Sequence, residues 1–138
     1  PSRRVLAIVG DGGFLMNVQE METARRLNLN LVCLLWQDDG YGLIEWQQQR
    51  DLGRTGNNAF GNPDFVQLAT AFGATGHRVT AAAEFESTLR EVLDQPGVHI
   101  IDVPIDYSEN PRLDAEQLIE RVRGAGARPE PVESGEAD

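Results

Sequence analysis

The sequence predicts an α/β layer, a doubly wound, mostly parallel sheet with helices on both faces. Three observations lead there. Val5–Val9 and Leu31–Trp36 are apolar runs without alternation, the pattern of strands buried on both faces, and Val98–Val103 is a third strong strand. The segments between them carry apolar residues at helical spacing. Strand, helix and strand succeed one another within about 30 residues, the length of a βαβ unit with its right-handed crossover.

Each element has its own justification. Val5–Val9 reads as a central strand, and Gly10-Asp11-Gly12-Gly13 as the turn cluster at its end. Phe14 to Asn28 reads as a helix, because Val18, Met21, Ala24 and Leu27 recur at three-residue steps with charges between them. Leu31–Trp36 is the second strand, and Gln37-Asp38-Asp39-Gly40-Tyr41-Gly42 the second polar loop. Leu43 to Arg50 reads as a short helix and Asp51 to Gly61 as loop. Asn62-Pro63 marks a helix start, Asn as N-cap and Pro at the first helical position, with Gly73 as the stop. Gly76 to Val79 reads as a short strand, Glu84 to Gln95 as a helix and Val98 to Val103 as a strong strand. Residues 1–112 form the domain. Residues 113–123 suggest a terminal helix, and the Gly- and Pro-bearing residues 124–138 a loose tail.

Composition narrows the function. A length of 138 residues suits one domain. The net charge of −10 argues against binding to phosphate backbones or anionic membrane surfaces, so neither nucleic acid nor membrane is an expected partner. All 12 basic residues are arginine, which excludes a lysine nucleophile, a Schiff base and a P-loop lysine. The single cysteine, Cys33, lies within an apolar run and reads as a small buried hydrophobe. No apolar run approaches the roughly 20 residues of a membrane helix, and no signal peptide is visible. The chain therefore reads as soluble and cytoplasmic. A central strand so near the first residue implies a neighbour, either a partner chain or a further part of a longer protein.

Topology brings two acidic loops together. Parallel strands joined by one crossover point the same way, so Gly10–Gly13 and Gln37–Gly42 both emerge at the carboxyl end of the sheet, where open α/β sheets bind ligands. Asp11 and Asp38 then become neighbours. Two adjacent carboxylates repel unless a cation lies between them, and magnesium takes one or two carboxylates plus substrate phosphates. The glycines let backbone amides approach a phosphate at a helix start. Taken singly, Asp11 also reads as a helix cap and Asp38-Asp39-Gly40 as an ordinary turn. Other motifs fail: Leu15 stands where a dinucleotide fingerprint needs Gly or Ala, and Glu45 is one residue short of the EF-hand spacing.

Gly10-Asp11-Gly12, followed after 24 residues by Gln37-Asp38, resembles the motif of the thiamine diphosphate-dependent enzymes, with Gln-Asp where Asn-Asn is usual. Within that family the chain is most similar to acetolactate synthases of the catabolic type, over about residues 3–112. Gly61-Asn62-Pro63-Asp64, Phe72–Gly76 and Asp102–Asn110 carry that likeness. The resemblance implies the diphosphate-binding domain of a carboligase that decarboxylates pyruvate and condenses it to acetolactate. It implies thiamine diphosphate and Mg2+ as cofactors. Asp11, Asp38 and the Gly40 carbonyl would hold the metal. Gly10, Gly12, Gly13 and Tyr41 would complete the cofactor site, with the Gly12 and Gly13 amides on the diphosphate. The activating glutamate belongs to a separate pyrimidine-binding domain, in the parent protein or another subunit, so no catalytic residue is assigned here. A homo-oligomer is implied as well. The alternatives are another 2-oxo-acid decarboxylase or carboligase of the family, or a stand-alone cofactor-binding module. Trp46 and Gln47–Gln49 are weak candidates for the site's mouth, Glu45 and Glu109 are undecided, and His77 and His99 read as structural.

Overall fold

The computed structural model describes residues 3–108. The elements are β1 (Val5–Gly10), α1 (Asp11–Leu15), α2 (Glu20–Arg26), β2 (Leu31–Gln37), α3 (Gly42–Leu52), α4 (Phe65–Ala71), β3 (Thr75–Arg78), α5 (Ala82–Asp94) and β4 (Val98–Pro104). The sheet is parallel throughout, in the order β1-β2-β4-β3. The expected terminal helix and tail lie outside the described residues.

Helices cover both faces, and alternation along the strands divides the core accordingly. Cys33 and Leu35 of β2 join Val98 and Ile100 of β4 under Phe14, Met21, Ala24, Phe65 and Ala69 of α1, α2 and α4. Val32, Leu34, Ile101 and Val103 face the other way, against Val92, Phe85, Leu89 and Leu93 of α5. β2 and β4 are the inner strands, and β4 is buried along Val98–Val103 even at its polar residues His99 and Asp102.

Three expectations are corrected. β1 is an edge strand, not a central one: among the described residues it pairs only with β2. Ala7 and Val9 pack on the core, while Leu6 and Ile8, on the opposite face, are 40% and 61% exposed. The helix expected over 14–28 is two helices. Asn17, Glu20 and Met21 donate to Phe14, Asn17 and Val18 carbonyls, three residues back, so the chain tightens between α1 and α2. Because α1 begins at Asp11, the glycine cluster forms its first turn. Finally, the N-cap of α4 is Asp64, not Asn62. Its Oδ1 accepts from Val66 N (2.9 Å) and Gln67 N (3.0 Å), which puts Pro63 outside the helix.

Gly73 does end α4, at φ +72°. Its N–H bonds Thr70 O and the Ala74 N–H bonds Ala69 O, closing a Schellman turn. Gly76 allows β3 to run under α4. A Cβ there would lie 2.6 Å from Val66 Cα and 2.8 Å from its carbonyl oxygen.

Candidate functional site

The register of the first two strands builds the site. Gly10 pairs with Trp36, so Asp11 and the Gln37-Asp38 step leave the sheet side by side. Asp11 is 1% exposed. Its Oδ2 accepts from Asn62 Nδ2 (2.6 Å), Asp39 N (2.9 Å) and Asp38 N (3.2 Å). Its Oδ1 accepts from Gly12 N (2.8 Å). Asp11 is therefore not a helix cap, since Gly10 holds that position of α1; it ties β1, the β2 loop and the 62 loop into one corner.

The Asp38 carboxyl lies against Asp11. Burial first, and then the like charge of Asp11, hold Asp38 above its ordinary carboxylate value, while the Gly40 and Gly42 amides act the other way. This arrangement depends on Gly42, where a Cβ would collide with Asp38 Oδ2 and lie 2.9 Å from the Tyr107 ring. Burial and then the charges of Asp38 and Asp11 raise the Tyr107 hydroxyl, which marks it as a neighbour of the pair.

The turn between the loops is set by polar contacts. Asp39 takes φ +57°, and its Oδ1 accepts from Gln37 Nε2 (3.0 Å) and Asn62 Nδ2 (2.8 Å). Those two amides hold Asp39 below its ordinary value. Gln37, the departure from the usual Asn, thus finds a partner within the loop. Gly40 bridges Ala59 in antiparallel fashion, with Tyr41 N on Asn58 O (2.9 Å) and Phe60 N on Asp39 O (3.0 Å). The Tyr41 ring packs on Phe60 at 4.9 Å. It also lies over Gly12, where a Cβ would come within 2.8 Å of it.

Gly10, Asp11, Gly12, Asp38, Gly40 and Tyr41 thus gather in one place, and Gly13 follows on the exposed side of α1. Two carboxylates and a backbone carbonyl are hard oxygen donors, the set that suits a divalent cation. The weaker candidates divide. Gln48 Oε1 accepts from Asn58 Nδ2 (2.7 Å) and Gly56 N (3.1 Å), a structural role in the loop. Trp46 lies under the Arg50 guanidinium at 5.0 Å, and Glu45, Gln47 and Gln49 are exposed. Glu109 lies outside the described residues. His77 and His99 bond one another, away from the carboxylates. Sequence reasoning missed three residues. Asn62 was taken for a cap, Asp39 for part of a turn, and Tyr107 stood only within the Asp102–Asn110 likeness, with no role assigned.

Comparison with known proteins agrees with this geometry. The family model "Thiamine pyrophosphate enzyme, C-terminal TPP binding domain" matches residues 1–103. The chain is 42% identical over 113 residues to the catabolic acetolactate synthase of Raoultella terrigena, covering 82% of this chain and 20% of that protein. It is 42% identical over 118 residues to an acetolactate synthase of Bacillus subtilis, covering 86% and 21%. The fold matches the crystal structure of benzoylformate decarboxylase from Polynucleobacter necessarius with a TM-score of 0.68 and 25% identity, over 75% of this chain and 20% of that one. The chain spans about a fifth of the length of the curated relatives it matches. The doubly wound sheet, the Gly-Asp-Gly corner at its carboxyl end and these matches lead to one conclusion: the chain belongs to the thiamine pyrophosphate enzyme family, as the C-terminal TPP-binding domain.

Proposed function

We propose that this domain binds thiamine diphosphate through a magnesium ion, as part of an acetolactate synthase-like carboligase that uses pyruvate. The single observation that carries the metal reading is the pairing of Asp11 and Asp38. The fold holds the second carboxyl above its ordinary value beside the first. A divalent cation converts that repulsion into attraction. Asp11, Asp38 and the Gly40 carbonyl would hold the ion, and Gly12, Gly13 and Tyr41 would line the diphosphate. Thiamine diphosphate supplies, when bound, the nucleophilic carbon and the electron sink for 2-oxo acid chemistry.

This chain's own residues orient the cofactor; they carry no group assigned to proton transfer. Activity then requires a pyrimidine-binding domain, from the parent protein or another subunit of a homo-oligomer, and the cytoplasm is the expected compartment. Likeness to a benzoylformate decarboxylase favours a second reading, in which the parent is another 2-oxo-acid decarboxylase or carboligase of the family.

Titration calorimetry with thiamine diphosphate, with and without magnesium, tests the cation. Binding is expected only with the metal, because a net charge of −10 and two local carboxylates otherwise repel the ligand. Equal binding in chelator would refute it. Product analysis on the parent protein separates acetolactate from the aldehyde of a simple decarboxylase.

A further inference from the structure

We propose that Asn62 is a positioning residue for the cation site, one that, together with the Asp38 and Asp39 amides, fixes which oxygen of Asp11 faces the metal. The inference rests on the cation reading above. Its basis is one nitrogen: Asn62 Nδ2 donates to Asp11 Oδ2 at 2.6 Å and to Asp39 Oδ1 at 2.8 Å. The residues so joined are 51 and 23 positions away in sequence, so no local turn explains the contact.

An ionised carboxylate offers about four acceptor positions, two on each oxygen. On Asp11, Oδ2 meets three donors, Asn62 Nδ2 and the amides of Asp38 and Asp39. That oxygen is filled. Oδ1 accepts from one amide, that of Gly12, and is the less occupied of the two among the amide donors of the described residues. Asp11 therefore presents Oδ1 to a cation, and the shortest contact that fixes this choice comes from Asn62. Without it, Oδ2 keeps only the two backbone amides, that of Asp38 at 3.2 Å, and the carboxylate is held less tightly.

Asn62 is itself firmly mounted. The next residue is Pro63, which keeps Asn62 out of the helical region. Asp64 then caps α4 and pairs with Arg78 of β3 at 3.1 Å. The amide is thus carried on the entry to α4 rather than on a free loop. Its orientation is fixed by the network, since the reverse assignment would set its oxygen against two carboxylates.

The other half of the amide points to a ligand. Asn62 Oδ1 is shielded from solvent and has no donor. Most buried side-chain polar atoms have a partner, so an orphaned one calls for an explanation. Magnesium usually retains several waters, each of them a donor. Such a donor, arriving with the cation, would complete the Asn62 amide.

The test uses the 138-residue chain with Mn(II) as the probe, titrated in the presence of thiamine diphosphate and followed by electron paramagnetic resonance. Asn62→Ala is expected to weaken Mn(II) binding about 10- to 100-fold, the usual loss for a partner that orients a metal ligand. Ligand-free unfolding should change far less. Asn62→Ser, whose hydroxyl reaches one carboxylate at most, should fall between Ala and wild type, and it serves in place of Ala if Ala does not fold. Equal affinity per folded molecule in wild type and both variants overturns the proposal and leaves the cation reading standing. Absence of Mn(II) binding in wild type overturns both.

Discussion

Two of the polar clusters on this sheet are built on opposite terms. At the carboxyl end, Asp11 and Asp39 share one Asn62 amide whose oxygen has no donor, with the Asp38 carboxyl against Asp11. Between β3 and β4, His77 and His99 form a closed chain. His99 Nε2 meets Pro96 O at 3.0 Å, and a carbonyl only accepts, so that nitrogen carries the proton. His99 Nδ1 then accepts from His77 Nε2 at 3.1 Å, with the rings stacked at 5.4 Å. The histidine pair satisfies its own inner needs while neutral. The polar group that closes on itself is architecture, while the corner with an orphaned oxygen and like charges is the one suited to a ligand.

The largest expected effect breaks the corner itself. Asp38→Ala should abolish the magnesium-dependent part of cofactor binding. Asp38→Asn should in addition stabilise the ligand-free chain by about 0.5–2 kcal/mol, as removal of functional-site strain commonly does. The sign follows from its raised value: the fold disfavours the ionised form, so wild type gains stability as pH falls through the carboxylate range. Melting curves of both chains should therefore converge in acid. An Asp38→Asn chain less stable than wild type at neutral pH would erase the contrast.

A smaller effect comes from geometry. Gly42→Ala places a methyl against Asp38 Oδ2 and the Tyr107 ring. Cofactor affinity should drop about 10-fold, with little change in melting temperature, because Tyr107 is exposed enough to move. A large loss of stability with intact affinity would show that the loop serves the fold instead.

The histidine pair should respond with the opposite sign. Burial, and then the neighbouring His99, hold His77 below its ordinary value of 6.5, against a weaker pull from Glu91. The unfolded chain binds the proton more readily, so stability is lost as pH falls below about 6.5 and is regained above it. Melting followed from pH 7.5 to pH 5.5 checks this (~2 pH units around the histidine value). His77→Gln should flatten the slope without altering cation affinity at neutral pH.

Much of the scaffold was legible because burial writes itself into sequence. β2 and β4 are inner strands: β2 is an apolar run, and β4 is mostly so, around His99 and Asp102. α5 announced itself through Phe85, Leu89 and Val92, and Gly73 through its place at a helix end. The meeting of Asp11 and Asp38 was legible too, since a βαβ crossover leaves the two loops no other arrangement. Misreadings arose where one chemistry serves two ends. Asn and Asp cap helices about equally well, so Asn62 and Asp64 competed for one position and only the three-dimensional contacts decided. Val5–Val9 carries the composition of an inner strand, although Leu6 and Ile8 are exposed among the described residues. Tyr107 approaches Asp38 because the chain leaves β4 beside the β2 loop, and no local pattern encodes that.

The strand order has a consequence for synthesis. β4, the last strand in the described chain, lies between β2 and β3 rather than at an edge. Its ladder with β2 closes over a distance of 67 residues, the separation that also joins Asn30 Oδ1 to Gly97 N. On a ribosome, β1, its crossover and β2 are therefore complete, with both carboxylates made, while one margin of β2 still waits for Val98–Pro104. Throughout that interval Val32, Cys33, Leu34 and Leu35 offer unpaired backbone groups beside apolar side chains. Such a margin can recruit another nascent chain, so the speed of elongation through residues 38–97 sets how long this domain needs protection.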